Sequence, residues 1–554
     1  MSDLQVRLPG DLARVWDGSD VVVDAAQPHR RLQQITEAAS YWLLLTRRDE
    51  AGAWSRIVTA LDSLAEQQDT GTGLFLVGDN VLSPPDTSFT INGLARLELV
   101  LRERADGGPW SNVRDRLRAI IGAVAPALRA GGVHTPNHRW ELAAALARSW
   151  AALGDDSLRR RAEQWLAEGV DVQPDGLYSE RSPNYAAYVS NPSLTALGEL
   201  LDRPDLLDVV HRNLHTQTLL TDGAGLVCTL QSRRQDQGRP FPAAPFEAGY
   251  RVTAERFGCA ECAAMAAECA AQGGGDAVEL AAELLRGAIP ATLPPATPQR
   301  SRGWTDLTTS ELAVHRDGAT QLVVRAASDV AAVGRVCSGV NHEPTFAQFS
   351  AGEMRVGFRL SRGFFGLGPF RADGLEREGE RVTLRERVAA GYYQPLEPSG
   401  VARDGSYALE FEGRFAAQMS FSRRMADLVE LATTVTVERR SDGLHVTVGT
   451  DGPAVPMCLE LALAADSSVV TGADHGVEPD LWVARGPVRI AAADGEAWVI
   501  DPLGAPLTSA AFYEPGEAVR YAGGSDAVTG PRVAVAWRSD TPLDLLIRRA
   551  ASTG

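Results

Sequence analysis

The chain is 554 residues long and carries 54 basic side chains, every one an arginine, against 71 acidic ones, for a net charge of −17. At roughly 150 residues per domain this length implies two to four domains; the acidic balance, with no dense run of Arg, excludes a nucleic-acid-binding protein, and the lack of lysine excludes Schiff-base enzymes and lysine-dependent phosphate loops. The opening MSDLQVRLPGDLARVWDGSD has neither the basic nor the apolar region of a secretory signal, and no apolar stretch approaches the ~18 residues of a membrane span, so the expectation is a cytoplasmic protein with no membrane partner.

Up to about residue 290, apolar residues recur at spacings of three and four, as in WSRIVTALDSLAEQ, INGLARLELVLRE and RWELAAALARSWAAL. That period predicts about ten helices joined by turns such as DTGTG, SPPDTS, QPDG and LTDGAG. The last two helices are expected over 252–272 and 276–288. The first of these holds GCAECAAMAAECA, whose Cys259, Cys262 and Cys269 read as a small-residue helix face, since no second CxxC or nearby histidine completes a ligand set. With Cys228, Cys337 and Cys458 they read as thiols of a reduced compartment. The Pro- and Thr-rich IPATLPPATPQRSRG at 289–303 reads as a linker. Beyond it come short alternating runs such as TQLVVRA, LVELATTVTVE, LHVTVG and RVAVAWR, separated by RDG, SDG and ADG turns, which predict an antiparallel β-sandwich. The expected architecture is an α+β multidomain chain, with a helical domain at 1–290, a linker at 291–303 and a β-domain at 304–554.

Three segments carry candidate chemistry. In GGVHTPNHRWELAAALA, Asn137, His138, Arg139 and Trp140 stand at a helix start, with Thr135 or Asn137 placed to cap it; an amide, an imidazole and a guanidinium there would favour an anion. The same residues would equally serve as a cap and a polar surface. In DGLYSERSPNYAAYVSNPS, an Asp175-Gly176 turn precedes Tyr178, Glu180, Arg181, Asn184, Tyr185 and Tyr188. Tyr185 and Tyr188 are three apart and in a helix share a face, either as a core stripe or as phenols placed to move a proton. In CSGVNHEPTFAQFSAGE, His342 precedes a strand, a position more often structural than functional. Arg234 in QSRRQDQGR and Arg362 in SRGFFGLGPF are candidates for gripping a carboxylate, or for solvated loops.

Together these segments resemble the heparinase II/III-like polysaccharide lyases and the related alginate lyases. In that family an Asn-His pair opens a helix, and a segment like DG-x-(Tyr/Phe)-x-(Glu/Gln)-x-Ser-x-x-Tyr follows some fifty residues later. Here Asn137-His138 is followed by Asp175-Gly176, Tyr178, Glu180, Ser182 and Tyr185 in the same order. The family's β-domain supplies a His from a motif like His-Gly-His-Ala-Asp; here Val340-Asn341-His342-Glu343-Pro344 keeps only the second His, so no metal of that kind is expected. The His that usually follows the Tyr is replaced by Ala186-Ala187.

The resemblance implies an incomplete (α/α) toroid followed by a β-sandwich. It also implies β-elimination at C4 of a uronic acid in an acidic oligosaccharide or polysaccharide, with no cofactor. Asn137 and His342 would neutralise the substrate carboxylate; Tyr185 would be the acid, and the base as well when elimination is syn, with His138 the base for a proton on the opposite face. Arg139, Trp140, Tyr188, Glu180, Arg234 and Arg362 complete the expected substrate contacts, and exo action on an imported oligosaccharide is expected. Two other classes stand beside this one. A glycoside hydrolase would need a carboxylate pair, which spacing does not mark among Asp86, Asp175, Glu180 and Glu343. A non-catalytic glycan-binding protein would need neither.

Overall fold

The structure, a computed structural model, describes residues 4–18, 27–76, 80–105, 107–293, 302–326, 328–329, 340–412, 416–504, 506–508 and 530–550. Cys337 and most of the expected linker, 294–301, lie outside these residues. The chain divides into two compact units. The first takes 1–221, 225–227 and 241–300; the second takes 222–224, 228–240 and 301–554. The stretch 228–240, expected to belong with the helices, is therefore part of the second unit.

The first unit is helical: α1 (Leu4–Trp16), α2 (Pro28–Thr46), α3 (Ala51–Gln67), α4 (Pro84–Arg104), α5 (Pro109–Ala130), α6 (Pro136–Leu153), α7 (Asp156–Leu166), α8 (Pro183–Tyr185), α9 (Asn191–Leu200), α10 (Pro204–Leu220), α11 (Glu247–Phe257), α12 (Ala260–Ala271) and α13 (Ala277–Arg286). Pro28, Pro84, Pro109, Pro136, Pro183 and Pro204 each open a helix, where the missing N–H is no loss. Ser83, Asp155 and Asp276 cap with their side chains. The single helix expected over 252–272 is two, because Gly258 adopts φ 62° and ends α11 while Cys259 caps α12.

The helices fall into two kinds. In α3 and α5 the buried residues form one stripe, such as Ala53, Ile57, Ala60, Leu61 and Leu64. By contrast α2, α4 and α6 are buried over most of their circumference and carry buried polar groups, among them Glu37, Asn92, Glu98, Asn137, Glu141 and Arg148. These three pack in succession, α6 also packs on α9, α11 packs on α13, and α13 returns to α2 and α4. Among the described residues no helix is long and apolar enough to cross a membrane.

The second unit is built on one fifteen-stranded sheet among the described residues. Neighbouring strands are antiparallel except Leu481–Ala491 beside Arg532–Arg538. The path begins at Gly303–Leu307 and ends at Gly374–Glu378. Those terminal strands approach each other, since Arg377 grips Asp306 with two bonds of 2.8 and 2.6 Å. Phe349 meets Trp498 edge-on at 5.7 Å inside the core that the curled sheet encloses.

Candidate active site

The first turn of α6 is polar and buried. Thr135 occupies the cap position, but its hydroxyl donates to Asn137 Oδ1 (2.7 Å) instead of accepting from the backbone. That bond orients the Asn137 amide with its oxygen satisfied. The residue is 1% exposed, and its buried Nδ2 has no hydrogen-bond partner among the described residues. An unmatched buried donor costs about 1–3 kcal/mol, so it is a place where a ligand oxygen would be favoured. His138 is buried beside it, with its ring edge-on to His134 (4.6 Å) and Phe89 (6.2 Å).

The segment that ends at Tyr185 is pinned from two helices. Gly176 sits at φ 86°, which only glycine adopts freely, and its carbonyl accepts from Asn213 Nδ2 (2.9 Å) on α10. Thr216 of α10 donates to the Asp175 carbonyl (2.7 Å). Tyr178 is buried and donates to Asn191 Oδ1 (2.7 Å) at the start of α9. Arg181 takes φ 52°, a conformation costly for a residue with a side chain. Ser182 then caps α8, accepting from the Tyr185 N–H (3.1 Å). A single π turn, Ala186–Ser190, follows Tyr185 before α9 resumes, and it packs on α6. Isolated π turns concentrate at functional sites. Tyr185 is half-buried and Glu180 buried, while Tyr188 is 52% exposed and meets Phe241 edge-on. The wider turn removes the simple helical face that Tyr185 and Tyr188 were expected to share.

A cleft of about 130 Å³ opens in this unit, lined by Arg30, Phe89, Asn92, Arg96, Glu141, Arg148, Tyr188, Asp276 and Glu279 among others. Phe89 lines it while its ring also meets His138, and Arg30 lies over the same ring at 4.9 Å. Glu141 is held by Asn92 (2.6 Å) and Ser193 (3.0 Å), and burial raises its carboxyl above the usual range. Burial pushes the Glu279 carboxyl further, to about 8. Spacing along the chain gave no sign that Glu141 and Glu279 share a cleft.

In the second unit the loop 228–240 is sewn to the His342 segment. Asn341 Nδ2 donates to Ser232 O (2.9 Å) and to Leu230 O, and the His342 N–H donates to Gln237 Oε1 (3.2 Å). The Gln237 N–H in turn donates to Arg234 O (3.1 Å). Arg371 donates to the His342 carbonyl (2.7 Å), and Arg325 binds Asn341 Oδ1 and the Glu343 carbonyl. This knot brings together Arg234 and His342, both buried.

Three expected substrate contacts are otherwise engaged. Trp140 is 1% exposed and donates to Asp171 (2.9 Å), which makes it a packing residue. Arg139 stacks on the Trp140 ring at 4.6 Å and pairs with Glu168 (3.1 Å) and Asp171 (3.5 Å). Arg362 lies at the end of strand Met354–Arg362, 1% exposed, and is held by both oxygens of Glu386 at 2.6 and 3.1 Å. A buried pair of this kind is spoiled by removing either partner, so Arg362 is structural. The expectation that no histidine accompanies the CxxC is also overturned, since His211 and His215 lie beside Cys259 and Cys262.

No family model and no curated protein matches this chain. Among solved structures, a xanthan lyase from Paenibacillus aligns with a TM-score of 0.54 at 8% identity, over 99% of this chain and 57% of that one. This chain therefore spans little more than half the length of that enzyme. A mutant chondroitin AC lyase from Streptomyces coelicolor A3 aligns at 13% identity over 99% of this chain and 78% of that one, with a TM-score of 0.48. What is shared with the xanthan lyase is a fold.

Proposed function

We propose that this protein is a glycan lyase that breaks the bond at C4 of a uronic acid by β-elimination and leaves a 4,5-unsaturated uronate. The observation that carries this reading is the Asn137 amide, oriented by Thr135 and left, among the described residues, with a buried, unmatched NH2 group next to His138. The fold shared with a xanthan lyase supports a polysaccharide lyase in general. The resemblance to the heparinase II/III-like proteins rests on the matched residues alone. The alternation of stripe-faced and fully buried helices, with α13 returning to α2, supports an (α/α) toroid. The curled antiparallel sheet supports a sandwich-type β-domain.

The C5 proton lies α to a carboxylate and is weakly acidic until that carboxylate is neutralised. Asn137 would donate to it; such a donor is typically worth ~10²–10³ in rate. His138 or Tyr185 takes the C5 proton, according to the face on which it lies. The electron pair passes into the carboxylate to form the aci-intermediate. It then returns to make the C4–C5 double bond as the C4–O bond breaks, and the Tyr185 hydroxyl protonates the leaving oxygen. Each such proton transfer contributes ~10²–10⁴. Exo action on an acidic oligosaccharide belongs to the same reading.

A second reading has one observation in its favour. Glu141 and Glu279 line a common cleft, and burial raises both carboxyls, the direction that the acid of a glycoside hydrolase needs. One experiment separates the classes. The full chain is incubated with a panel of uronic-acid glycans and with preformed unsaturated oligosaccharides, and the ultraviolet absorbance of the unsaturated uronate is followed. A lyase makes it rise, an unsaturated-uronyl hydrolase makes it fall, and a binding protein changes neither. Tyr185→Phe should lose at least ~10² of the lyase rate while folding normally; a variant as active as the parent removes Tyr185 from the mechanism.

A further inference from the structure

His211 and His215 are four residues apart on α10, so both project from one face. The break between α11 and α12 presents a second pair. Cys259 caps α12, and Cys262, in its first turn, donates its N–H to Cys259 Sγ at 3.4 Å. The two pairs meet. Cys259 Sγ lies 3.6 Å from His215 Nε2, His215 Nε2 lies 2.9 Å from His211 Nε2, and all four ligand atoms fall within 4.8 Å of one another. A tetrahedral zinc ion, with bonds of ~2.0–2.1 Å to nitrogen and ~2.3 Å to sulfur, sets its ligands roughly 3.3–3.8 Å apart. Small side-chain rotations bring this set to that spacing.

The surroundings orient the ligands. Glu261 Oε2 is 2.8 Å from His215 Nδ1, so Nδ1 carries the proton and Nε2 turns its lone pair into the cluster. This is the carboxylate–histidine arrangement found behind metal ligands. The His211 ring lies flat on Phe257, with centroids 4.4 Å apart and planes 10° from parallel. Cys269, the third thiol of the run, is set apart by its bond to the Ala243 carbonyl (3.2 Å).

We propose that His211, His215, Cys259 and Cys262 form a closed, four-ligand zinc site that fastens α10 to the start of α12. Two thiolates and two imidazoles are the donor set that zinc takes in structural sites, and a set supplied wholly by the protein keeps no position for substrate. Two thiolates balance the ion's charge. The site's task is architectural: α10 also carries Asn213 and Thr216, which hold the Asp175–Gly176 turn at 2.9 and 2.7 Å. The proposal stands whether or not the chain is a lyase.

The full chain, produced with added zinc and analysed by mass spectrometry of its metals, should carry about one zinc per chain. Stripping it with a chelator should lower the thermal midpoint by several degrees, and Zn2+ alone should restore it. Co2+ in its place should show the visible absorption of a thiolate-bound ion. Cys259→Ser and Cys262→Ser should lose the metal. Should those variants fail to fold, Glu261→Gln keeps all four ligands and should bind zinc ~10–100-fold more weakly in competition with a chelator. The proposal is overturned if the full chain binds neither Zn2+ nor Co2+ stoichiometrically, if its Cys259 and Cys262 are isolated as a disulfide without metal, or if Glu261→Gln binds zinc as tightly as the parent.

Discussion

Replacing Asn137 separates stability from chemistry. Its buried nitrogen has no partner among the described residues, so Asn137→Ala strands no described group except the Thr135 hydroxyl, which is close to solvent. The thermal midpoint should stay near that of the parent while turnover falls ~10²–10³. A large drop in midpoint with activity lost only in proportion would make Asn137 a structural residue. Glu279 offers a different test. Burial raises its carboxyl to about 8, Asp276 and Glu283 add to the rise, and Arg96 and Arg148 oppose it. A group raised in the folded state contributes stability at low pH and loses it as pH climbs through its folded value. Glu279→Gln should therefore gain on the parent between about pH 5 and about pH 9, seen as a growing difference in melting midpoint. A constant difference would mean that Glu279 ionises as an ordinary carboxylate. Residue type alone distinguished these positions poorly. Asn137 and Tyr185 stood out through their motif order. Trp140 and Arg362 looked like ligand contacts because the side chains that line a cleft are also those that fill a core when Asp171 or Glu386 satisfies them.

At the scale of elements, the apolar period of three and four, interrupted by turns carrying Gly, Pro, Asp and Asn, made most helices legible. The break at Gly258 was not, because the Ala-rich residues on both sides of it continue the helical period. That break creates the Cys259 cap, and its nearer histidine partner, His215, lies 44 residues away along the chain, beyond any local pattern. A CxxC together with an HxxxH on a neighbouring helix was the signal available. The turn before Tyr185 gives a further prediction. A Cβ on Gly176 would collide with Thr216 Oγ1 and sit 3.0 Å from the Arg212 carbonyl, at φ 86°. Gly176→Ala should cost about 2 kcal/mol or more in denaturant unfolding. It should also lower turnover beyond the loss of folded protein, because the displaced turn leads to Tyr185. Stability and turnover equal to the parent would show that this turn holds nothing in place.

For the whole molecule, composition and period separated a helical half from a strand-rich half. They gave no hint of the strand order, which is set by pairings such as Met457–Arg362 and Trp498–Arg549 between distant segments. Nor could they reveal that the chain leaves the helical unit at 221/222 and 227/228, returning at 224/225 and 240/241, before its last departure at 300/301. That threading makes the two halves hard to part. If the protein is made as two polypeptides divided within 291–303, the N-terminal piece still bears 228–240. The carbonyls of Leu230 and Ser232 and the Arg233 side chain bond Asn341 and Asp329 on the other piece. Parting the pieces breaks those bonds, so the two should reassemble like the halves of a split reporter and elute together. The chain is in this sense already wired for fragment complementation, with a thirteen-residue clasp, 228–240, as the recognition sequence.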